Sequence, residues 1–134
     1  MFNLGTWTKS INKLYDMKYF KIEEFTCDGA ICYDKMSPKL LKMLDQAREK
    51  ANTPFKITSS WRSQEKNNSL KNSSKNSSHL KGKAVDIACN SGLERLKIFS
   101  GLVKAGFTRV GISDKGGFIH ADCDDSKIDS LWIY

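Results

Sequence analysis

Residues 77–88 read S-S-H-L-K-G-K-A-V-D-I-A. His79 and Asp86 lie seven positions apart, with Lys81-Gly82-Lys83 between them and a short apolar run at the end. Ala84–Ala88 alternates as a β-strand does, so Ala84, Asp86 and Ala88 share one face while Val85 and Ile87 take the other. Val85 and Ile87 suit a core. The small alanines on either side of Asp86 leave room for something bound beside its carboxylate. A turn at 81–83 would swing His79 back toward the same spot.

The chain's other histidine, His120, lies in a second strand, Phe118–Cys123. Thr108–Ser113 precedes it as a strand, and Asp114–Gly117 makes the turn between them, so 109–123 reads as a β-hairpin. Phe118, His120 and Asp122 share a face, and Ile119 and Ala121 point to the core. Polar groups set among apolar strand residues need partners. Asp86 and His120 would find one by ligating a single cation, with His79 as a third donor. Two imidazoles and one carboxylate are a set used for catalytic zinc, whose fourth position is left to water. From spacing alone a second reading stands beside it, in which His79 is a loop residue and His120 a satisfied residue of a partial core.

Working outward, Ser37 and Pro38 open the clearest helix, as N-cap and first helical residue. Leu40, Leu41, Leu44, Ala47 and Ala51 form its apolar stripe, and it ends near Asn52. Phe55–Trp61 reads as a strand and Arg62–Leu70 as a short helix or turn. Gly92–Ala105 is a second helix, with apolar residues at 93, 96, 98, 99, 102 and 103 and Gly106 as C-cap. Residues 69–78, S-L-K-N-S-S-K-N-S-S, form a polar loop expected to be mobile. Residues 1–18 are a lead-in containing a short helix over 7–16. Residues 19–33 are irregular, with a turn at Asp28-Gly29. The tail L-W-I-Y is expected to pack onto the sheet. These elements predict a single α+β domain over 1–134, a small, mostly antiparallel sheet with helices on one face.

The 134 residues suffice for one core, and an apolar content of 40% excludes a disordered chain. No apolar run approaches the ~20 residues that span a bilayer, so membrane insertion is not expected. The first residues lack the cationic and apolar regions of a secretory signal, so synthesis in a cytosol is expected. The net charge of +7, from 22 Lys+Arg against 15 Asp+Glu, favours anionic partners. It comes without the arginine-rich helix or aromatic–basic alternation of a nucleic-acid binder, and nucleic acid is not an expected partner. Cys27 and Cys32 have a zinc-like spacing, but Cys89 and Cys123 provide no second pair. The four thiols read as buried or idle, with a Cys27–Cys32 disulfide as the alternative.

The quoted stretch resembles the S-x-H-x-x-G-x-A-x-D pattern of the M15 metallopeptidases, which Ser77, His79, Gly82, Ala84 and Asp86 match position by position. That family includes D-Ala-D-Ala carboxypeptidases, VanX-type dipeptidases and phage endolysin endopeptidases, and Hedgehog signalling domains share its fold. I-H-A-D around His120 is similar to its second motif, and I-T-S-S-W-R-S-Q-E-K-N around Arg62 resembles its S-G-Y-R-S-x-E-x-N segment. The resemblance spans roughly residues 19–134. It implies a Hedgehog/DD-peptidase-like fold, with His79, Asp86 and His120 as ligands of one Zn2+. Arg62 and Ser77 would be the substrate-binding residues. Arg62 would hold a carboxylate or the developing oxyanion, the alternative being a surface ion pair.

Many M15 enzymes carry an acid three residues before the last histidine, where this chain has Gly117. Asp114, six before His120, could serve instead from the hairpin turn, as an acid does in the Hedgehog relatives. Asp122 is the other catalytic candidate, better placed to support His120 than to touch substrate. The resemblance implies a zinc peptidase acting on bacterial peptidoglycan stem peptides, in the manner of a phage or prophage lysis enzyme. It would be made in the host cytoplasm and act on the wall after release or from the virion, with a monomer expected. The alternative is a zinc-stabilised virion module with little or no catalysis.

Overall fold

The computed structural model describes residues 17–71 and 73–134 of the chain. The helix expected over 7–16 lies outside the described residues. A two-stranded ribbon, β1 (Thr26–Cys27) and β2 (Ala30–Ile31), turns at Asp28-Gly29. Helix α1 (Pro38–Ala51) follows, then β3 (Ile57–Ser59), the short α2 (Gln64–Ser69) and β4 (Ala84–Ala88). Helix α3 (Gly92–Lys104) leads to β5 (Arg109–Ser113), β6 (Phe118–Asp122) and β7 (Ser130–Ile133). The fold is α+β, as the patterning predicts.

The helix boundaries follow from local chemistry. The Ser37 hydroxyl accepts the Leu40 N–H at 3.3 Å, Pro38 occupies the first turn, and Asn52 closes α1 in the left-handed region. Leu40, Leu41, Leu44, Ala47 and Ala51 are all buried. Ser91 caps α3 through the Glu94 N–H. Of the six apolar positions on α3, Ile98 and Leu102 are buried and Phe99 is half-buried, whereas Leu93, Leu96 and Val103 face solvent. α1 and α3 pack together, and α3 also meets β6.

The main sheet runs β3-β4-β6-β5-β7. Every pairing is antiparallel except β5 with β7, which is parallel. The tail therefore extends the sheet as an edge strand rather than packing against its face. β3 is shorter than the expected 55–61, and its register against β4 shifts between Ile57 and Ser59.

Val85, Ile87, Val110, Ile119 and Ala121 join the helices in one core. On the opposite face the register lines up Ser59, Asp86, His120, Gly111 and Trp132 in a row across all five strands. The neighbouring row carries Ala84, Asp122, Arg109 and Ser130. Antiparallel neighbours in such a row have Cβ atoms about 4.5–5.5 Å apart. Asp86 and His120, 34 residues apart in sequence, are thereby placed side by side.

Candidate active site

His79 sits on a single 3-10 turn, Ser78–Lys81, capped by the Ser77 hydroxyl at its start and by Gly82 at its end. The Gly82 carbonyl accepts the Ser37 N–H at 2.8 Å, which fastens the turn to the head of α1. At its far side, the Arg62 N–H donates to the His79 carbonyl at 3.0 Å. The Ser78 hydroxyl donates to Asp124 at 2.8 Å. Asp124 is fully buried and also receives Lys81 and Ser126. Burial alone would raise its carboxyl pKa, but hydrogen bonds from Ser126, Ser78 and Lys81 outweigh it and hold the group well below the usual carboxylate range.

The turn delivers the His79 ring to the end of the Asp86–His120 pair. Its Nε2 lies 3.3 Å from Asp86 Oδ1. His120 Nδ1 lies 3.1 Å from the same oxygen. All three donor atoms fall within 4.8 Å of one another. Tetrahedral zinc with bonds of about 2.0–2.1 Å sets its donors about 3.3–3.4 Å apart, so two edges of that figure are present.

The far nitrogens are also engaged. His79 Nδ1 lies 2.8 Å from the Ser60 carbonyl, which can only accept, so Nδ1 carries the hydrogen and, in the neutral ring, Nε2 keeps its lone pair. His120 Nε2 lies 2.7 Å from Asp122 Oδ2 and donates to it, which leaves Nδ1 as the free donor atom of the neutral ring. Two lone pairs and a carboxylate then converge in a pocket where His79 and His120 are 4% and 7% exposed. They repel one another unless a cation lies between them. The donor set therefore fits a divalent metal ion held by His79 Nε2, Asp86 Oδ1 and His120 Nδ1.

The titration behaviour has the same origin. When protons rather than a metal sit on His120 Nδ1 and His79 Nε2, burial opposes the charge on Asp86, but the hydrogen bonds these rings then donate prevail and hold its carboxyl well below the ordinary range. Burial opposes protonation of His120, yet Asp122 and Asp86 together raise its pKa. Asp122 is likewise lowered, because His120 and then the Asp124 N–H and Arg109 outweigh its burial.

These residues line a cleft of about 530 Å³. Arg62 is on its wall, with Nη1 donating to Asn67 Oδ1 at 3.0 Å and Nη2 to the Ser59 hydroxyl at 3.2 Å. Among the described residues its guanidinium meets neutral partners and no carboxylate, so the surface ion pair is not what holds it. Lys71, Arg109 and Lys127 add positive charge, and Phe118, Trp132 and Tyr134 add aromatic surface. Ser77 reaches the cleft edge while its hydroxyl caps the turn through the His79 N–H at 3.3 Å. The polar loop over 69–78 accepts hydrogen bonds from Asn67 at the Ser74 carbonyl and from Lys127 at that of Asn76.

The two candidate aspartates part company. Asp122 lines the cleft but is occupied by His120, by Arg109 at 2.8 Å and by the Asp124 N–H at 3.1 Å. Asp114 is not brought to the cleft, a correction to the expectation that the hairpin turn could carry it there. Its side chain is 86% exposed and pairs with Arg95 of α3 at 2.9 Å. Strand alternation explains this: Arg109, Gly111 and Ser113 face the cleft, so the next residue turns toward the helices. Ser60, Asn67, Arg109, Asp124 and Trp132 are parts of the site that sequence reasoning passed over. The period-two pattern of S-L-W-I was the signal available for Trp132.

The four thiols are free, as expected, and none is a donor in the His–Asp–His cluster. Burial raises the pKa of Cys32, Cys89 and Cys123, which keeps them protonated and inert.

No curated protein matches the chain. A protein-family model described as Peptidase M15 matches residues 18–122, a span that holds Arg62, Ser77 and all three converging donors. The chain belongs to the peptidase M15 family and is a hydrolase of the metallopeptidase kind.

Proposed function

We propose that the protein is a zinc-dependent peptidase that hydrolyses peptide bonds in the stem peptides of bacterial peptidoglycan. The observation that carries this reading is the convergence of His79 Nε2, Asp86 Oδ1 and His120 Nδ1 at the floor of a cleft walled by Arg62. Zinc bound there would supply a Lewis acid that polarises a peptide carbonyl and lowers the pKa of a water toward ~7. The chain's own residues do the rest. Ser60 and Asp122 hold the two imidazoles in the tautomers that turn lone pairs inward. Asn67 and Ser59 pre-orient the Arg62 fork, which suits a substrate carboxylate or the oxyanion that develops on the scissile carbonyl.

Stem peptides carry free carboxylates, and Arg62, Lys71, Arg109 and Lys127 give the cleft the complementary charge. The net charge of +7 would draw the domain to an anionic wall. These features support a phage or prophage lysis enzyme, made in the host cytoplasm and acting on the wall after release or from the virion.

One observation favours a second reading, a zinc-stabilised module with little turnover. Gly117 stands where an acid is usual, and the acids lining the cleft, Asp86 and Asp122, are both committed to histidines.

Metal content by elemental mass spectrometry, followed by digestion of purified sacculi with mass-spectrometric product analysis, decides among these. About one zinc per chain, lost in His120→Ala, with chelator-sensitive release of peptides, is the expected result. Zinc without hydrolysis selects the module. A chain that takes up no zinc overturns both.

A further inference from the structure

The last strand lies beyond the residues matched by the family model, yet it reaches the site. Trp132 of β7 stands opposite Gly111 of β5, and Gly111 stands opposite His120 of β6. A Cβ on Gly111 would lie 2.4 Å from both Cε2 and Nε1 of Trp132, so the indole fills the space a side chain at 111 would need. Lying over β5, it meets the His120 ring, with centroids 5.3 Å apart and planes at 50°.

Arg109 closes the arrangement. Its guanidinium carbon is 5.2 Å from the Trp132 ring centroid. Its Nε donates to Asp122 Oδ1 at 2.8 Å, and a further N–H donates to the Ile128 carbonyl. Asp122 Oδ2 accepts from His120 Nε2 at 2.7 Å. Trp132, Arg109, Asp122 and His120 thus form a closed ring of contacts.

An imidazole on a strand has two torsions to fix. One hydrogen bond to Nε2 anchors a single atom and leaves the ring free to pivot about it. A face packed against the ring removes that pivot. We propose that Trp132, seated over Gly111 and stacked by Arg109, is a positioning residue that holds His120 with Nδ1 aimed at the metal. This rests on the zinc reading above.

The test is zinc affinity by chelator competition, with the visible spectrum of the cobalt-substituted protein, on wild type, Trp132→Ala, Trp132→Phe and Leu131→Ala. Outer partners of metal ligands typically contribute about 10–100-fold to affinity. Trp132→Ala should lose about that much and shift the cobalt bands, and Trp132→Phe should recover most of both. Leu131, exposed on the same strand and facing away from the cleft, should change neither when replaced by Ala. That control separates loss of the ring from loosening of β7. Should Trp132→Ala not fold, Trp132→Leu fills the volume without an aromatic face and takes its place. Wild-type zinc affinity and an unshifted cobalt spectrum in Trp132→Ala or Trp132→Leu overturn the proposal alone. A wild-type protein that binds no zinc overturns the metal reading on which it rests.

Discussion

Replacing Gly82 by alanine tests how the His79 turn is held. Gly82 has φ +67° and ends the turn that carries His79. A Cβ there would lie 2.0 Å from the Lys35 carbonyl oxygen, 3.0 Å from its carbon and 3.1 Å from Met36 Cα. That backbone is not free to step aside, because the Lys35 N–H is bonded to Cys32 at 2.9 Å and the Met36 N–H to Tyr33 at 3.1 Å. The left-handed conformation costs an L-residue about 1–2 kcal/mol. Relieving the overlap by moving two packed turns costs about 1–3 kcal/mol more. The sum, about 2–5 kcal/mol, corresponds to about 8–20 °C in Tm at about 4 °C per kcal/mol for a domain of this size.

Gly29→Ala isolates the two contributions. Gly29 has φ +83° but nothing within 4 Å of an added Cβ, so only the conformational cost applies, about 4–8 °C. Thermal melts of the metal-free proteins by circular dichroism give the comparison. If Gly82→Ala melts within about 2 °C of Gly29→Ala, the close approach to Lys35 is not what the structure indicates.

Three further outcomes follow from the same geometry. Asp114→Asn should leave peptide hydrolysis at the wild-type rate, since its carboxylate pairs with Arg95; a tenfold fall in kcat would restore it to the catalytic site. Arg62→Lys should raise KM about tenfold for a stem peptide and leave zinc content unchanged, because an ammonium cannot reproduce the planar fork held by Asn67 and Ser59; an unchanged kcat/KM refutes this. Asp124→Asn should cost about 3 kcal/mol near neutral pH, since it strips charge from a buried, multiply bonded carboxylate. The folded pKa of Asp124 is depressed, so its contribution is present above the unfolded value of about 3.9 and is lost as pH falls below it. The Tm gap between wild type and Asp124→Asn should therefore hold constant above about pH 5 and narrow in more acid solution, and a gap that widens with acid contradicts the assignment.

The sequence alone determined most of the elements and singled out the three side chains that converge in the cleft. Alternation in A-V-D-I-A and F-I-H-A-D put Asp86 and His120 on faces opposite the core, and the Ser37-Pro38 start and leucine stripe defined α1. These are local properties, set by a strand period of two and by capping chemistry that acts within a few residues. Alternation also held the answer for Asp114, since Val110 and Ile112 mark the helix side of β5 and Asp114 shares their parity.

Tertiary structure decided the rest. That β7 joins the sheet in parallel beside β5 depends on which edge is open once β6 has paired, and no local pattern in S-L-W-I carries that information. Trp132 can touch His120 only because Gly111, the residue between them, has no side chain, a coincidence of three strands in one register row. The tautomers of the two histidines rest on the Ser60 carbonyl and the Asp122 carboxylate. The first of these is a main-chain atom, whose position the chain's path sets and whose presence no residue type announces.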